Sequence, residues 1–424
     1  MLGTIAFGIF GLTVLVSIAF AICPNRKAID WKLVASGISL QLLFAIIVIL
    51  VPGGRDVFDF LSRIFVKIVS FALDGASFIF GDLASIDNFG FVFAFQVLPT
   101  IIFFASLMAV LYHIGLMQKI VQGMAWVMLK ILRVSGGESL SVAANVFVGQ
   151  TEAPLVVRPY IARMTESELF TMMVGGMATI AGAVLAAYIA MLGGADEAAR
   201  LFYARHLLAA SVMAAPATIV ISKILKPEVG ESLTKGSVKL EVEKTATNVI
   251  EAAASGAGDG VRLALNVGGM LLAFIALIAM IDWPLGWLGA VTGLEQVIGQ
   301  PLSLSIILGY ILAPLAWVIG VPWQDAVTVG GLIGTKAVTN EFVAYSNLVE
   351  LKDTMSDKAV LVSTYALCGF ANFSSIAIQI GGIGGLAPNR KPDLARLGLY
   401  AVLGGTLATM MTATIAGVLT TIGS

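Results

Sequence analysis

Long stretches without a charged residue recur along the chain and are separated by short polar segments. Because about 20 apolar residues cross the hydrocarbon layer of a membrane, each stretch predicts a transmembrane helix. The first stretch has no basic start and no A-x-A cleavage site, so it predicts a first span rather than a secretory signal. Eight spans are predicted, within residues 1–25, 33–54, 88–118, 169–195, 206–222, 263–281, 359–389 and 397–424.

Two further regions, 118–165 and 296–350, are apolar and glycine-rich but carry polar residues in mid-segment. Each is long enough for a helix down and a helix back, and each must begin and end on one side if eight spans hold. We therefore predict two re-entrant helical hairpins, whose tips leave backbone groups free to meet a ligand. The segment from Arg55 to Asp82 interleaves charged and apolar residues, which predicts an interfacial amphipathic helix; an ordinary loop helix against neighbouring spans fits equally.

The two halves of the chain repeat one order of features, a polar hairpin tip and then a span interrupted by small polar residues. Gln150-Thr151-Glu152 precedes Thr179-Ile180-Ala181 in the first half, and Thr339-Asn340-Glu341 precedes Ser375-Ile376-Ala377 in the second. Inverted repeats with broken helices are the usual build of secondary transporters. The predicted fold class is an all-α polytopic membrane protein with about eight transmembrane helices, two re-entrant helical hairpins, an inverted-repeat transport core and interfacial helices.

Four parts of the chain follow from this pattern. Residues 1–117 hold the N-terminal spans and the interfacial helix and are predicted to belong to a scaffold. Residues 118–225 form the first repeat with hairpin 1, and the charged, turn-rich segment within 226–261 is predicted to be a cytoplasmic linker and interfacial segment. Residues 262–424 hold the remaining scaffold and the second repeat with hairpin 2.

Composition agrees with a membrane protein, since 58% of the 424 residues are apolar and only 12% are charged, about half the charge of a soluble domain. A net charge of −1 offers no basic field for nucleic acid. With the N-terminus outside, the inner loops hold 17 Lys and Arg residues and the outer loops 8, which predicts that both termini lie outside. Two cysteines and two histidines indicate neither a disulfide framework nor a zinc site.

Two carboxylates, Glu152 and Glu341, stand within apolar surroundings. A charge at this depth costs roughly 2.5–3.5 kcal/mol on insertion scales, so such residues usually face a cavity or a ligand. A salt bridge from Glu152 to Arg158 is the structural alternative. Asn372 and its neighbouring serines favour local unwinding of a helix, although hydrogen bonds between packed helices would use them too.

Together these positions provide two carboxylates, several amides and hydroxyls, and one nearby aromatic ring, with no cationic residue at the tips. A neutral ligand with hydroxyls, amide edges and a flat ring fits such a site. A nucleoside has these properties and a nucleotide does not, although other polar solutes satisfy the same physics.

Several motifs resemble the bacterial concentrative nucleoside transporters. They are Gly149-Gln150-Thr151-Glu152-Ala153-Pro154, Ala264-Leu265-Asn266-Val267-Gly268, Asn340-Glu341-Phe342-Val343-Ala344-Tyr345 and Cys368-Gly369-Phe370-Ala371-Asn372-Phe373-Ser374-Ser375-Ile376. The resemblance covers nearly the whole chain. It implies a homotrimer in the bacterial inner membrane, in which each protomer imports nucleosides such as uridine by an elevator-like movement against a fixed scaffold.

The resemblance also implies roles for individual residues. It assigns Gln150, Thr151 and Glu152 to the base, and Glu341, Asn372 and Ser375 to the ribose. The ring pocket would be lined by Phe370, Val184 and Leu263. A sodium site would be formed by the Asn145 side chain, the Val148 carbonyl, the Thr179 hydroxyl and the Ile180 carbonyl, where family members often have Ser in place of Thr179.

The main hypothesis is therefore a sodium-driven nucleoside importer with no cofactor other than the coupling ion. A proton-coupled importer of the same fold is the alternative, with Glu152 or Glu341 as the titrating group. An intramembrane enzyme is disfavoured because no nucleophile–base pair or metal cluster stands out. A channel is disfavoured because paired broken repeats suggest a carrier that occludes its substrate.

Overall fold

A computed structural model describes residues 1–236 and 246–423, and this part of the chain is helical without any strand. The helices of the first half are α1 Leu2–Ile22, α2 Trp31–Ile49, α3 Pro52–Phe80, α4 Ile86–Phe89, α5 Phe93–His113, α6 Leu116–Leu132, α7 Gly136–Asn145, α8 Arg158–Ile161, α9 Glu166–Ala178, α10 Gly182–Gly193 and α11 Glu197–Leu225. Those of the second half are α12 Val249–Thr292, α13 Leu294–Ile298, α14 Leu304–Val318, α15 Ala326–Val338, α16 Glu341–Leu351, α17 Asp357–Leu367, α18 Phe373–Leu386 and α19 Lys391–Gly423.

Within the described residues, eight helical segments are long and apolar enough to cross a membrane. Eight spans were also predicted, but the observed set differs from the predicted set in two places. Pro52–Ala84, predicted as interfacial, also satisfies the length and composition of a span. Residues 359–389, predicted as one interrupted span, form two separate helices, α17 and α18.

The helices divide into a buried body, which contains α9, α10, α11 and α19, and a peripheral group, which consists of α3, α5 and α12. In α9–α10 and in α11, 89% of the most apolar window is buried, whereas the figure for α12 is 11%. Helix α12 packs along α5, where a Cβ on Gly260 would lie 2.7 Å from the Cα of Ile102. Helices α1 and α2, predicted as part of the scaffold, lie against α19 and α11 of the buried body.

Hairpin 1 is shorter than predicted. Helix α6 ends at Leu132, and the hairpin itself begins with α7, whose N-terminus has a capping box formed by Ser135 and Glu138. Helix α7 ends at Asn145, and the return arm is a 3-10 helix, Ala153–Val157, followed by the single turn α8. Pro154 lies in the first turn of that 3-10 helix, as expected for a residue without an amide hydrogen.

Hairpin 2 consists of α15 and α16, with its tip at Thr339 and Asn340. Region 296–350 therefore holds another helix besides the hairpin, because α14 precedes α15 and packs closely on it. Glycines permit this approach: a Cβ on Gly330 would lie 2.6 Å from the carbonyl oxygen of Gly309. The side chain of Asn340 accepts from the Val343 amide at 3.0 Å and starts α16.

The predicted linker at 226–261 is only partly a linker. Residues 249–261 belong to α12, and residues 237–245 lie outside the described part. Before them, Thr234 is buried against hairpin 1: its carbonyl accepts from the Gly136 amide at 2.9 Å, and its hydroxyl accepts from the Gly137 amide at 3.1 Å. This segment therefore packs on the base of hairpin 1 instead of being fully solvated.

Long-range hydrogen bonds show which helix each hairpin base contacts. Arg390, before α19, donates to the Met164 carbonyl at 2.5 Å beside hairpin 1. Lys352, at the end of hairpin 2, donates to the Leu192 carbonyl at 3.0 Å near the end of α10. Since α9–α10 runs from the first contact to the second, the hairpins enter from opposite ends, as an inverted repeat requires.

Candidate functional site

Four interruptions of helical structure meet inside the buried body: the tips of hairpins 1 and 2, the α9/α10 break and the α17/α18 break. The Gly182 amide donates to the Phe147 carbonyl at 3.0 Å, joining hairpin 1 to the first break. The Phe370 amide donates to the Thr179 carbonyl at 3.4 Å, joining the two breaks. Helix ends leave backbone groups unpaired, so this meeting point offers donors and acceptors inside the buried body.

Glu341 lies in the first turn of α16 and is buried, with 3% of its surface exposed. Its Oε1 accepts from the Tyr188 hydroxyl at 3.1 Å, and its Oε2 accepts from Nδ2 of Asn372 at 2.9 Å. The N-terminus of a helix favours a carboxylate, since unpaired amides carry partial positive charge there. The carboxylate is therefore held in place before any ligand arrives.

Asn372 is fixed from its other side. Its Oδ1 caps α18 by accepting from the Ser375 amide at 2.9 Å, and it also accepts from the Ser374 hydroxyl at 2.7 Å. Because the oxygen is engaged by two donors, the amide nitrogen must face Glu341. The predicted ribose residues Glu341, Asn372 and Ser375 are thus joined in one hydrogen-bonded group.

Gln150 of hairpin 1 connects to that group. Its Nε2 donates to the Ser375 hydroxyl at 3.0 Å, and its Oε1 accepts from Nε2 of Gln379 at 3.0 Å. Ser375, assigned by resemblance to the ribose, thus also contacts a residue assigned to the base. The polar ends of both hairpins meet at the start of α18.

The other predicted base residues lie at the same tip. Thr151 packs on α18, where a Cβ on Gly382 would lie 2.8 Å from its Cγ2. Glu152 is exposed, and its carboxylate occupies the space that a Cβ on Gly149 would need. This position is open to a ligand, in contrast to that of the buried Glu341.

The predicted ring-pocket residues come from three elements. Val184 is buried in α10, Phe370 is half-buried in the α17/α18 break, and Leu263 is half-buried on α12. Phe370 is placed next to the α9/α10 break by its bond to Thr179. Leu263 differs from the others because it belongs to the peripheral group.

The four predicted sodium ligands lie at the C-terminal ends of α7 and α9. Asn145, at the end of α7, donates from Nδ2 to the Ser141 carbonyl at 3.1 Å, while its buried Oδ1 has no partner among the described residues. Thr179 follows α9 and donates to the Gly175 carbonyl at 2.8 Å, which leaves its oxygen lone pairs available. Val148 is half-buried and Ile180 is buried. Half-helix C-terminal ends with neutral oxygens suit a monovalent cation.

Three residues important to this arrangement were not assigned to the site from sequence. Lys336 is one of the eight Lys and Arg residues that the charge count placed in outer loops. It is completely buried in α15 and donates to the Ala366 carbonyl at 2.7 Å. Tyr188 and Gln379 are fully buried polar residues in apolar helices. A polar residue inside a strongly apolar helix was the available signal, but it does not identify a partner.

Broken half-helices in an inverted repeat, with polar groups at their ends and apolar helices around them, define an α-helical secondary transporter. The sequence matches the family models described as "Na+ dependent nucleoside transporter C-terminus" over residues 206–417, "Na+ dependent nucleoside transporter N-terminus" over 10–83 and "Nucleoside recognition" over 94–195. The chain belongs to the Na⁺-dependent nucleoside transporter family.

Relatives support this membership along the whole chain. An uncharacterised transporter, YutK of Bacillus subtilis, is 46% identical over 97% of this chain and 99% of its own. The rat sodium/nucleoside cotransporter 1 is 41% identical over 96% of this chain, which spans only 63% of that longer protein. The structure of CNTnw in an inward-facing substrate-bound state matches with a TM-score of 0.90 and 45% identity, covering 98% of this chain and 99% of CNTnw.

A CNTnw variant in an outward-facing state also matches with a TM-score of 0.90, at 44% identity over 99% of this chain and 98% of that one. These findings confirm the predicted family, the all-α multi-pass membrane fold, and a transporter rather than an enzyme. The residue roles, the division into domains, the trimer and the orientation stay predictions.

Proposed function

We propose that the protein is an importer of nucleosides such as uridine, driven by the sodium gradient. The observation that carries this proposal is the preorganised carboxylate of Glu341, held by Tyr188 and Asn372 where four helix interruptions meet. A carboxylate can accept from two adjacent ribose hydroxyls, and such charge-assisted bonds are about twice as strong as neutral ones. Ser375 would contribute to the same ribose subsite.

The base would lie against the tip of hairpin 1. Gln150, Thr151 and Glu152 provide an amide, a hydroxyl and a carboxylate there, and Phe370, Val184 and Leu263 would line the ring pocket. The buried cation Lys336 is engaged by the Ala366 carbonyl, with Thr409 at 3.4 Å. A cation so engaged does not offer itself to a phosphate, which favours nucleosides over nucleotides.

Sodium would bind at the ends of α7 and α9. The unpartnered Oδ1 of Asn145 supplies one oxygen, and the hydroxyl of Thr179 and the carbonyls of Val148 and Ile180 would supply the rest. Hairpin 1 connects this set to the substrate-facing Gln150, only five residues beyond Asn145. Binding of the ion would therefore order the tip that reads the base.

The coupling is energetically sufficient. One sodium ion crossing about 100 mV releases roughly 2.3 kcal/mol, and a tenfold ion gradient adds about 1.4 kcal/mol. Together they support accumulation on the order of 500-fold.

We further propose a homotrimer in the bacterial inner membrane with an elevator-like movement and both termini periplasmic. The exposed apolar surfaces of α3 and α12 suit contact with lipid and with neighbouring subunits. The buried body, including both hairpins, would move against this group. The burial of Lys336 removes one cation from the outer count and so strengthens the excess of inner Lys and Arg.

The test is uptake of radiolabelled uridine into proteoliposomes containing the purified full chain. We expect saturable uptake that collapses when external sodium is replaced by choline. Uptake driven equally by a pH gradient without sodium would reject sodium coupling and support the proton-coupled alternative, with Glu152 or Glu341 titrating. Absence of uptake for every nucleoside would reject the proposed substrate class.

A further inference from the structure

Gln379 is a fully buried amide in α18 with an unusual set of partners. Its Nε2 donates to the Met173 carbonyl of α9 at 2.9 Å and to Oε1 of Gln150 at 3.0 Å. Its Oε1 is buried without a hydrogen-bond partner among the described residues. An unsatisfied buried oxygen is costly, so the position of this amide calls for a reason other than its own hydrogen bonding.

The backbone fixes which end of the Gln379 amide faces Gln150. A backbone carbonyl can only accept a hydrogen bond, so the nitrogen of Gln379 must point to Met173. The second hydrogen of that nitrogen then requires an acceptor, which is Oε1 of Gln150. The orientation of one amide therefore sets the orientation of the next.

The Gln150 amide therefore has one fixed orientation. Its oxygen faces Gln379, and its nitrogen lies on the other side, where one hydrogen is donated to the Ser375 hydroxyl. The remaining amide hydrogen has no partner among the hydrogen bonds of the described residues. Gln150 thus offers a ligand a donor.

The packing around the two glutamines is tight. Gly176 of α9 faces both, and a Cβ there would lie 2.8 Å from the Cβ of Gln150 and 2.8 Å from Nε2 of Gln379. Neither side chain has room to move towards α9. A rotation of the Gln150 amide by half a turn would place its nitrogen against the nitrogen of Gln379, so the two donors oppose that rotation.

We propose that Gln379 is a positioning residue that fixes the Gln150 amide as a donor and so favours nucleosides whose base carries a keto oxygen over those with an amino group there. The inference rests on the proposed function and adds a substrate preference to it. A keto oxygen accepts from Gln150, whereas an amino group sets donor against donor. A mispaired group in a buried site makes binding at least about fivefold weaker.

The experiment measures how unlabelled uridine, cytidine, inosine and adenosine inhibit the uptake of radiolabelled uridine into proteoliposomes with sodium in the external buffer. In each pair, uridine with cytidine and inosine with adenosine, a keto group is exchanged for an amino group and the adjacent ring nitrogen changes from a donor to an acceptor. We expect the wild-type protein to prefer the keto member at least about fivefold. In Gln379→Leu the Gln150 amide can turn. The ratio of inhibition by the keto member to inhibition by the amino member should therefore fall towards one, while uridine uptake persists.

Gln41→Leu is the matched control. Gln41 is also fully buried, donates a single side-chain bond to Thr412 at 3.1 Å and has an unpartnered Oε1, but it lies in α2. Gln41→Leu should reduce stability without changing the preference for keto nucleosides, because Gln41 does not contact Gln150.

The outcomes separate this inference from the proposed function. Uptake of no nucleoside by the wild type would reject both. Wild-type uptake without a keto preference, or a preference unchanged in Gln379→Leu, would overturn the role of Gln379 alone. If Gln379→Leu does not assemble, the wild-type preference decides: a keto preference supports the inference, and an equal or reversed preference overturns it.

Discussion

Glu341→Gln tests the ribose subsite with the least change in shape. The Asn372 nitrogen must face residue 341, because its oxygen is held by Ser374 and Ser375. The new amide would therefore turn its oxygen to Asn372 and its nitrogen to Tyr188, whose hydroxyl can rotate and accept. The internal hydrogen bonds are thus preserved, and the protein should still insert and assemble.

What the substitution removes is the charge and an acceptor for the ligand. A hydrogen bond to a charged group contributes about 1.5–3 kcal/mol, and tenfold in affinity corresponds to about 1.4 kcal/mol. Loss of one such bond should weaken apparent uridine affinity by roughly tenfold to a hundredfold. Tyr188→Phe is the control, since it removes one partner of Glu341 at 3.1 Å and keeps the carboxylate; its loss should be smaller.

The assay is concentration-dependent uptake of uridine and of 2′,3′-dideoxyuridine into proteoliposomes. The dideoxy analogue has no ribose hydroxyl for Glu341 to bind, so the substitution should affect it much less. Wild-type uridine affinity in Glu341→Gln, or an equal loss for both substrates in an intact protein, would refute the ribose assignment.

Substitutions at three further positions, with two matched controls, test other parts of the protein. Thr179→Val removes one oxygen from the proposed sodium set and should raise the sodium concentration for half-maximal uptake by about tenfold or more, whereas Thr179→Ser should behave like the wild type. Glu152→Gln should lower uptake and change the relative uptake of nucleosides with different bases, while Arg158→Ala should leave those ratios unchanged. Lys336→Met leaves the Ala366 carbonyl without its buried donor, which should reduce stability by about 1–3 kcal/mol and lower the melting temperature in detergent.

Each of these expectations has a contrary result. Unchanged sodium dependence in Thr179→Val would mean that this hydroxyl serves only its own helix, through its 2.8 Å bond to Gly175. A uniform loss shared by Glu152→Gln and Arg158→Ala would favour a salt bridge that anchors hairpin 1. A melting temperature for Lys336→Met equal to that of the wild type would show that the Ala366 carbonyl finds another donor.

The sequence by itself determined the membrane class, the position of most spans and the residues at the two hairpin tips. Hydropathy is a local property, so a charge-free stretch identifies a span without knowledge of its neighbours. The interruptions were also readable, because Asn340 and Asn372 compete with the helix backbone wherever they occur and in fact cap α16 and α18. Glu152 and Glu341 stood out because charge is rare in apolar segments.

Only the tertiary structure decided which of these groups meet. The Gln150–Gln379 bond joins positions 229 apart in sequence, and Tyr188 reaches Glu341 across 153 positions. The tertiary structure also decided that α6 and α14 lie outside the hairpins and that Lys336 is buried rather than in a loop. A polar side chain shows in the sequence that it needs a partner, but the partner depends on how distant helices pack, and packing is a property of the assembled fold.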